Sequence, residues 1–398
     1  MNQKFAGVIG IIFVFVMLTL SYLGFIDLEE MLDELPESGT TTETTTQNTP
    51  TSESDVETAE EPVLTGTTTN GSTDTAVTST GWYDIYFTNP SCPAEEERAG
   101  GVEEVLVADM LTAQNRLDIA SFDFDIELMI EALIELEDRG VEVRIVVDDE
   151  HTPASAINRL RRNGMSVIED QRSALMHNKF IIIDGRYLWT GSMNFASNGV
   201  YCNNNNLVRF DSPQLAQNYT IEFEEMYIDR EFGPRSPINT KQFFNVNGIT
   251  IENYFTAEEE VAEIIAGTIA EADQEILFMA FSFTNDTIGE SVIERANAGV
   301  PVFGVFEAIG SETVYSYYSQ LEEMAIPGVN VKQDGNGRIM HHKVFIIDRE
   351  ITVLGSFNFS DNAIDSNDEN LLIIRDPEFT SYFVEEFGFI WDEAQADS

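Results

Sequence analysis

The chain has 398 residues, 43% of them hydrophobic, enough for one large domain or two ordinary ones with a sizeable core. Against 70 acidic residues stand only 21 basic ones, a formal charge of -49, and such a surface repels polyanions at low salt, which weighs against nucleic acid without removing it. So acidic and lysine-poor a surface suits a saline milieu, where screening over a few ångströms removes the self-repulsion.

Residues 5–26 form 22 positions without a charge, long enough to span a bilayer as a helix, with Lys4 before them and Asp27, Glu29 and Glu30 after. The lysine favours a cytoplasmic N-terminus, and no small-x-small cleavage site stands out. Residues 1–36 are therefore expected to be an uncleaved single-pass anchor with everything downstream extracytoplasmic; cleavage would leave a secreted protein. In residues 37–80, 17 of 44 positions are threonine, a composition that cannot bury a core and predicts a disordered tether. A flexible chain of that length spans roughly 35 to 40 Å, which holds a domain off a membrane but within its reach.

From Gly81 the sequence is written twice. DIYFTNP at Asp84 resembles ENYFTAE at Glu252, LDIASFDF at Leu117 resembles ILFMAFSF at Ile276, and DRGVEVRIVVD at Asp138 resembles NAGVPVFGVFE at Asn297. The halves divide as 81–237 and 238–398. In each, apolar strands alternate with amphipathic helices, which predicts an α/β architecture with two mostly parallel or mixed sheets flanked by helices. The halves are expected to pack as an internal pseudo-dimer whose axis brings equivalent segments face to face, with no further protein partner required. Cys92, in a stretch present only in the first half, and Cys202 are the only cysteines. Outside a membrane such a pair can form a disulfide, two buried thiols being the alternative. Neither has a histidine or second cysteine at ligand spacing, which argues against a zinc site.

MHNKFIIIDGRYLWTGSMNF, from Met176, is answered by MHHKVFIIDREITVLGSFNF, from Met340. Three of the four histidines and two of the five lysines fall in these two stretches. On a strand, His177 and Lys179 project to one face, as do His341 and Lys343. Asp184 and Asp348 complete the two motifs and are counted with the catalytic set, although they have the opposite parity and sit where the strand turns, better placed to brace the turn than to react. Ser192, Asn194, Ser356 and Asn358 follow small glycines and can donate to phosphate oxygens. Parity points His342 away from the site, and His151 reads as a solvated loop residue. The FDF and FSF clusters ending at Phe124 and Phe283 read as core.

The duplicated H-x-K-x4-D and G-S-x-N pattern resembles the phospholipase D superfamily over roughly residues 82–391. That resemblance implies that both motifs meet in one active site, with no metal and no cofactor. It also implies that His177 attacks phosphorus to give a covalent phosphohistidine while His341 protonates the leaving alcohol, with Lys179 and Lys343 stabilising the phosphate oxygens. Glu369, in NDENLLII, resembles the carboxylate that members use to support a motif histidine; the first half has Asn205 there. Pairing within each half would put Glu369 on His341, making it the more basic imidazole and the acid, and Asn205 on His177. The favoured substrate is a phosphodiester of the phospholipid type, hydrolysed or transferred at the outer membrane surface. A nuclease, a cardiolipin-synthase-like transferase and a non-catalytic phosphate-binding module are the alternatives.

Overall fold

The computed structural model describes residues 75–77 and 81–394. The expected anchor at residues 5–26 and nearly all of the tether lie outside them; among the described residues no helix is long and apolar enough to cross a membrane. The tether as read from sequence runs too far, because Thr75–Val77 (β1) already pairs with the first strand of the folded part, Tyr83–Phe87 (β2).

The first half continues with Arg116–Ser121 (β3), Glu142–Val147 (β4), Ser166–Glu169 (β5), Lys179–Ile183 (β6), Tyr187–Gly191 (β7), Asn203–Asn204 (β8) and Asn206–Asp211 (β9). The second has Phe243–Val246 (β10), Ile249–Thr256 (β11), Ile276–Ala280 (β12), Val302–Phe306 (β13), Val329–Gln333 (β14), Ile339–Met340 (β15), Lys343–Ile347 (β16), Ile351–Gly355 (β17) and Glu369–Arg375 (β18). Each half forms an eight-stranded sheet, ordered β1-β2-β9-β7-β6-β3-β4-β5 and β10-β11-β18-β17-β16-β12-β13-β14. The sheets are mixed rather than mostly parallel. Only β3-β4-β5 and β12-β13-β14, whose strands are joined through helices, run parallel. The IIIDG and IIDRE turns are too short for a crossover and make β6-β7 and β16-β17 antiparallel.

Period-two alternation sorts side chains into three layers. Phe180 and Ile182 of β6, with Val344 and Ile346 of β16, face a central core shared by the sheets and by helices Pro213–Glu224 and Pro377–Glu393. Ile181 and Ile183 face an outer core under the helices Val102–Met110 and Glu127–Asp138, and Phe345 and Ile347 face its counterpart in the second half. Motif strands buried on both faces explain the unbroken FIII and VFII runs.

Acidic residues reach into the interface between the halves. Glu222, Glu225 and Glu258 stand near Asp368 and carry carboxylate oxygens without a hydrogen-bond partner among the described residues. Burial, then the neighbouring acids, push Glu225 up to about 7 and Glu258 up to about 8. Folded values raised above those of the unfolded chain mean stability that is fully present below the ordinary carboxylate range and lost as pH rises through these values. Glu258→Gln is expected to raise the unfolding midpoint of the protein near pH 9 and leave it almost unchanged near pH 5, as read by thermal melts at constant salt.

Candidate active site

The two motif strands are stitched into opposite halves before their side chains are considered. Met176 pairs as a parallel bridge with Asp368, through His177 N donating to Asp368 O at 3.0 Å and Asp368 N donating to Leu175 O at 2.9 Å. The matching bridge joins β15 to β8, with His341 N donating to Asn204 O at 2.9 Å. Each histidine is thus presented by its own strand and held by the loop that precedes β9 or β18 of the other half.

The side chains cross in the same way. His177 Nδ1 lies 2.7 Å from Glu369 Oε2, and His341 Nδ1 lies 2.9 Å from Asn205 Oδ1. The pairing expected within each half is therefore wrong: Glu369 serves His177 and Asn205 serves His341. The reason is the exchanged bridges, which place residue 369 beside residue 177 and residue 205 beside residue 341. Asn205 Nδ2 donates to Gly199 O at 2.8 Å, so its Oδ1 faces His341 and the imidazole Nδ1 must be the donor. Both rings therefore turn Nε2 to the shared site, one backed by a carboxylate and the other by an amide.

Lys179 and Lys343 are buried, and each donates to the carbonyl of its own motif histidine, at 2.7 and 2.8 Å. Each also lies over a ring, Lys179 over Phe122 at 5.0 Å and Lys343 over Phe281 at 4.7 Å. Burial drives Lys179 down to about 7, and burial with the charge of Lys179 drives Lys343 well below the usual lysine range. Burial and the two lysines also hold both motif imidazoles far below the ordinary histidine value. Glu369, pushed up to about 7 by burial against the pull of Lys179, is the carboxylate bonded to a motif imidazole. Glu369, Asp123 and Asp148 act on Lys179, and Glu369 and Glu307 on Lys343, but burial outweighs them, and an anion bound beside the lysines would favour their charged form.

Ser192 donates to Asn205 Oδ1 at 2.9 Å, and Ser356 accepts from Asn370 N at 3.0 Å and bonds Glu369, so the motif serines set the histidine partners. Asn194 and Asn358, at matching positions, each carry a buried Oδ1 with no partner among the described residues. Gly191 and Gly355 let strands approach: a Cβ would stand 2.4 Å from Asn206 O or 2.2 Å from Asn370 O. Asp184 and Asp348 do not belong to the reacting set. They lie at the far ends of β6 and β16, where each accepts three backbone N–H bonds, from Gln114, Asn115 and Arg116 and from Asp273, Gln274 and Glu275. That is the bracing role their parity predicted.

His342 is buried away from the site, 3.1 Å from both Asn206 Nδ2 and Glu386 Oε1. His151 is more than a solvated loop residue. Asp148 holds its Nδ1 at 2.8 Å, and its ring packs on Phe122 with centroids 4.2 Å apart. Phe122 in turn packs on His177 at 4.7 Å, and Phe281 on His341 at 4.9 Å. The first aromatic of each FDF or FSF cluster thus belongs to the site, whereas Phe124 and Phe283 are core. Strand alternation would put both aromatics of each cluster on one face; β3 and β12 end at Ser121 and Ala280, before the clusters, so the distinction was not legible in the sequence. Cys92 and Cys202 form a disulfide. Among the described residues no group of acidic, histidine and cysteine side chains is arranged to hold a metal ion.

Two mixed sheets related by duplication, with paired H-x-K strands joined in one composite site, define a phospholipase D-like architecture. The chain belongs to the family described as cardiolipin synthase, PLD-like domain, which matches residues 106–227 and 265–391, one stretch in each half. It is 36% identical over 118 residues to a mitochondrial cardiolipin hydrolase of Chlamydomonas reinhardtii, covering 29% of this chain and 53% of that protein. It is 32% identical over 148 residues to one of Xenopus tropicalis, covering 37% and 69%. The chain thus spans about half to two thirds of the length of these relatives. Among solved structures, a phosphatidylserine synthase of Haemophilus influenzae shares the fold with a TM-score of 0.59 at 12% identity, over 75% of this chain and 86% of that one.

Because Lys179 loses its proton near pH 7, kcat/KM for a phosphodiester of constant charge is expected to fall as pH rises above about 7. Steady-state rates across pH check this; a level profile well into the alkaline range would remove the lysine from phosphate binding.

Proposed function

We propose that this chain is a phosphodiesterase that cleaves phospholipid head groups through a phosphohistidine on His177. The observation that carries the reading is the crossed pair of imidazoles, each with Nδ1 engaged and Nε2 free, beside two buried lysines. With the phosphate anion bound beside it, His341 takes up a second proton on Nε2; His177 Nε2 then attacks phosphorus, the bond from phosphorus to the leaving oxygen breaks, and the His341 imidazolium gives that oxygen its Nε2 proton. Water then gives a proton to His341 and its oxygen attacks phosphorus, freeing His177; an alcohol in place of water makes the reaction a transfer.

The same division of labour is proposed, on the opposite physical ground from the one read in sequence. As the nitrogen to phosphorus bond forms, the His177 ring becomes cationic, and Glu369 can stabilise it. Asn205 offers His341 no charge, so its imidazolium parts with a proton readily. Lys179 and Lys343 hold the non-bridging oxygens, and Asn194 and Asn358 stand ready as further contacts. The lipid substrate is supported by the names of the relatives and by a charge of -49 that disfavours polyanions. Anchoring through residues 5–26, with the site outside the membrane and the threonine-rich stretch as tether, fits that substrate.

Purified protein at high salt is incubated with phosphatidylcholine, cardiolipin and single- and double-stranded DNA, with denaturing quench to trap phosphohistidine. Product and label from lipid are expected; product from DNA alone would make the enzyme a nuclease, and no product or label from any would make it a binding module. His177→Ala is expected to abolish the label. His341→Ala should keep labelling by a p-nitrophenyl diester, whose leaving group needs no proton, while slowing alkyl diesters by about 10²–10⁴-fold.

A further inference from the structure

The two crossovers that complete the site are locked by different chemistry. In the one that carries Glu369, Arg172 forms an ion pair with Asp368 and donates to Ser366 O at 3.4 Å, and Gly233 N also donates to Asp368. The matching crossover, which carries Asn205, lacks this ion pair. Asn336 stands where the other half has Arg172, Asn204 where it has Asp368, and Cys202 where it has Ser366, all at a constant offset of 164 positions. Here Asn336 Nδ2 donates to Cys202 O at 3.2 Å and to Asn204 Oδ1 at 2.5 Å, and the Cys92–Cys202 disulfide adds the strong link that the ion pair supplies on the other side.

The disulfide acts on a short, well-held path to the imidazole. Cys92 N donates to Tyr201 O at 2.8 Å. Four residues before Cys92, Thr88 Oγ1 donates to Asn203 O and accepts from Asn205 N, both at 2.7 Å. Residues 88–92 thus clasp residues 201–205, and the last of these presents Oδ1 to His341 while its neighbour Asn204 accepts the His341 backbone N–H. Cys202 is buried and Cys92 half-buried, so the link ties a partly exposed loop to the interior of the fold.

We propose that the Cys92–Cys202 disulfide is a positioning device for leaving-group protonation: it fixes the crossover that carries Asn205 and so orients His341. The proposal rests on the reading of His341 as the general acid. It differs from a general stabilising role, because loss of the link should act on one half-site. The His177 crossover keeps its own ion pair and does not depend on the cysteines. A displacement of about 1 Å at a catalytic group can cost on the order of 10²-fold in rate.

The test compares first-turnover release, which precedes the water step common to both, from phosphatidylcholine and phosphatidyl-p-nitrophenol, the same phosphatidyl group carrying a leaving group that needs a proton or one that does not. The ratio of the two rates, measured on one sample, is independent of the fraction folded. In Cys92→Ser/Cys202→Ser the ratio of choline to p-nitrophenol release is expected to drop at least about tenfold. Asn336→Ala should move it in the same direction, and Arg172→Gln should lower both rates together. A ratio unchanged in the cysteine variant, while His341→Ala lowers it, overturns the positioning role and leaves the acid assignment standing. A ratio unchanged in His341→Ala itself overturns the acid assignment, and the positioning role with it.

Discussion

Everything in this site depends on hydrogen bonds that cross between the halves. Neither His177 nor His341 finds its Nδ1 partner in its own repeat, and the backbone just before each motif strand bonds to the other repeat. A single half would present an imidazole whose ring Nδ1 lacks the partner it has here, a costly arrangement in a dry interior. The duplication is therefore a condition of the chemistry. Only the packed pair of sheets supplies the partner that fixes each ring through its Nδ1.

A symmetric backbone carries asymmetric chemistry. Matching positions hold Glu369 and Asn205, Arg172 and Asn336, Asp368 and Asn204, so one crossover is charged and the other amide-rich and covalently linked. The central contacts show the same pattern. Asn370 Nδ2 donates to Asn178 Oδ1 at 2.8 Å, and its counterpart Asn206 meets His342 in place of an asparagine at 3.1 Å. Divergence of the two copies has altered the side chains at the axis while preserving the register that brings them together. Differing partners make two identical imidazoles electrostatically unlike.

Much of this could be read along the chain. The repeat, the motif spacing, the bracing role of Asp184 and Asp348 and the inward direction of His342 all follow from period-two alternation and local turn chemistry. The failures share one cause. The partner of each histidine, the ion pair between Arg172 and Asp368, and the contact of Phe122 with His177 join residues distant in sequence, and the first two join different repeats. Proximity along the chain suggested that Glu369, 28 residues after His341, serves that histidine; the exchanged bridges place it instead beside His177.

The sequence by itself determined which residues can react and that there are two sets of them, because residue type and strand parity are local properties. Only the tertiary structure decided which carboxylate, amide, ion pair or disulfide each set receives, because packing about the axis joins side chains 136 or 192 residues apart. That choice governs charge: it sets a carboxylate beside His177 and a neutral amide beside His341, so a positive ring is supported at one and not at the other.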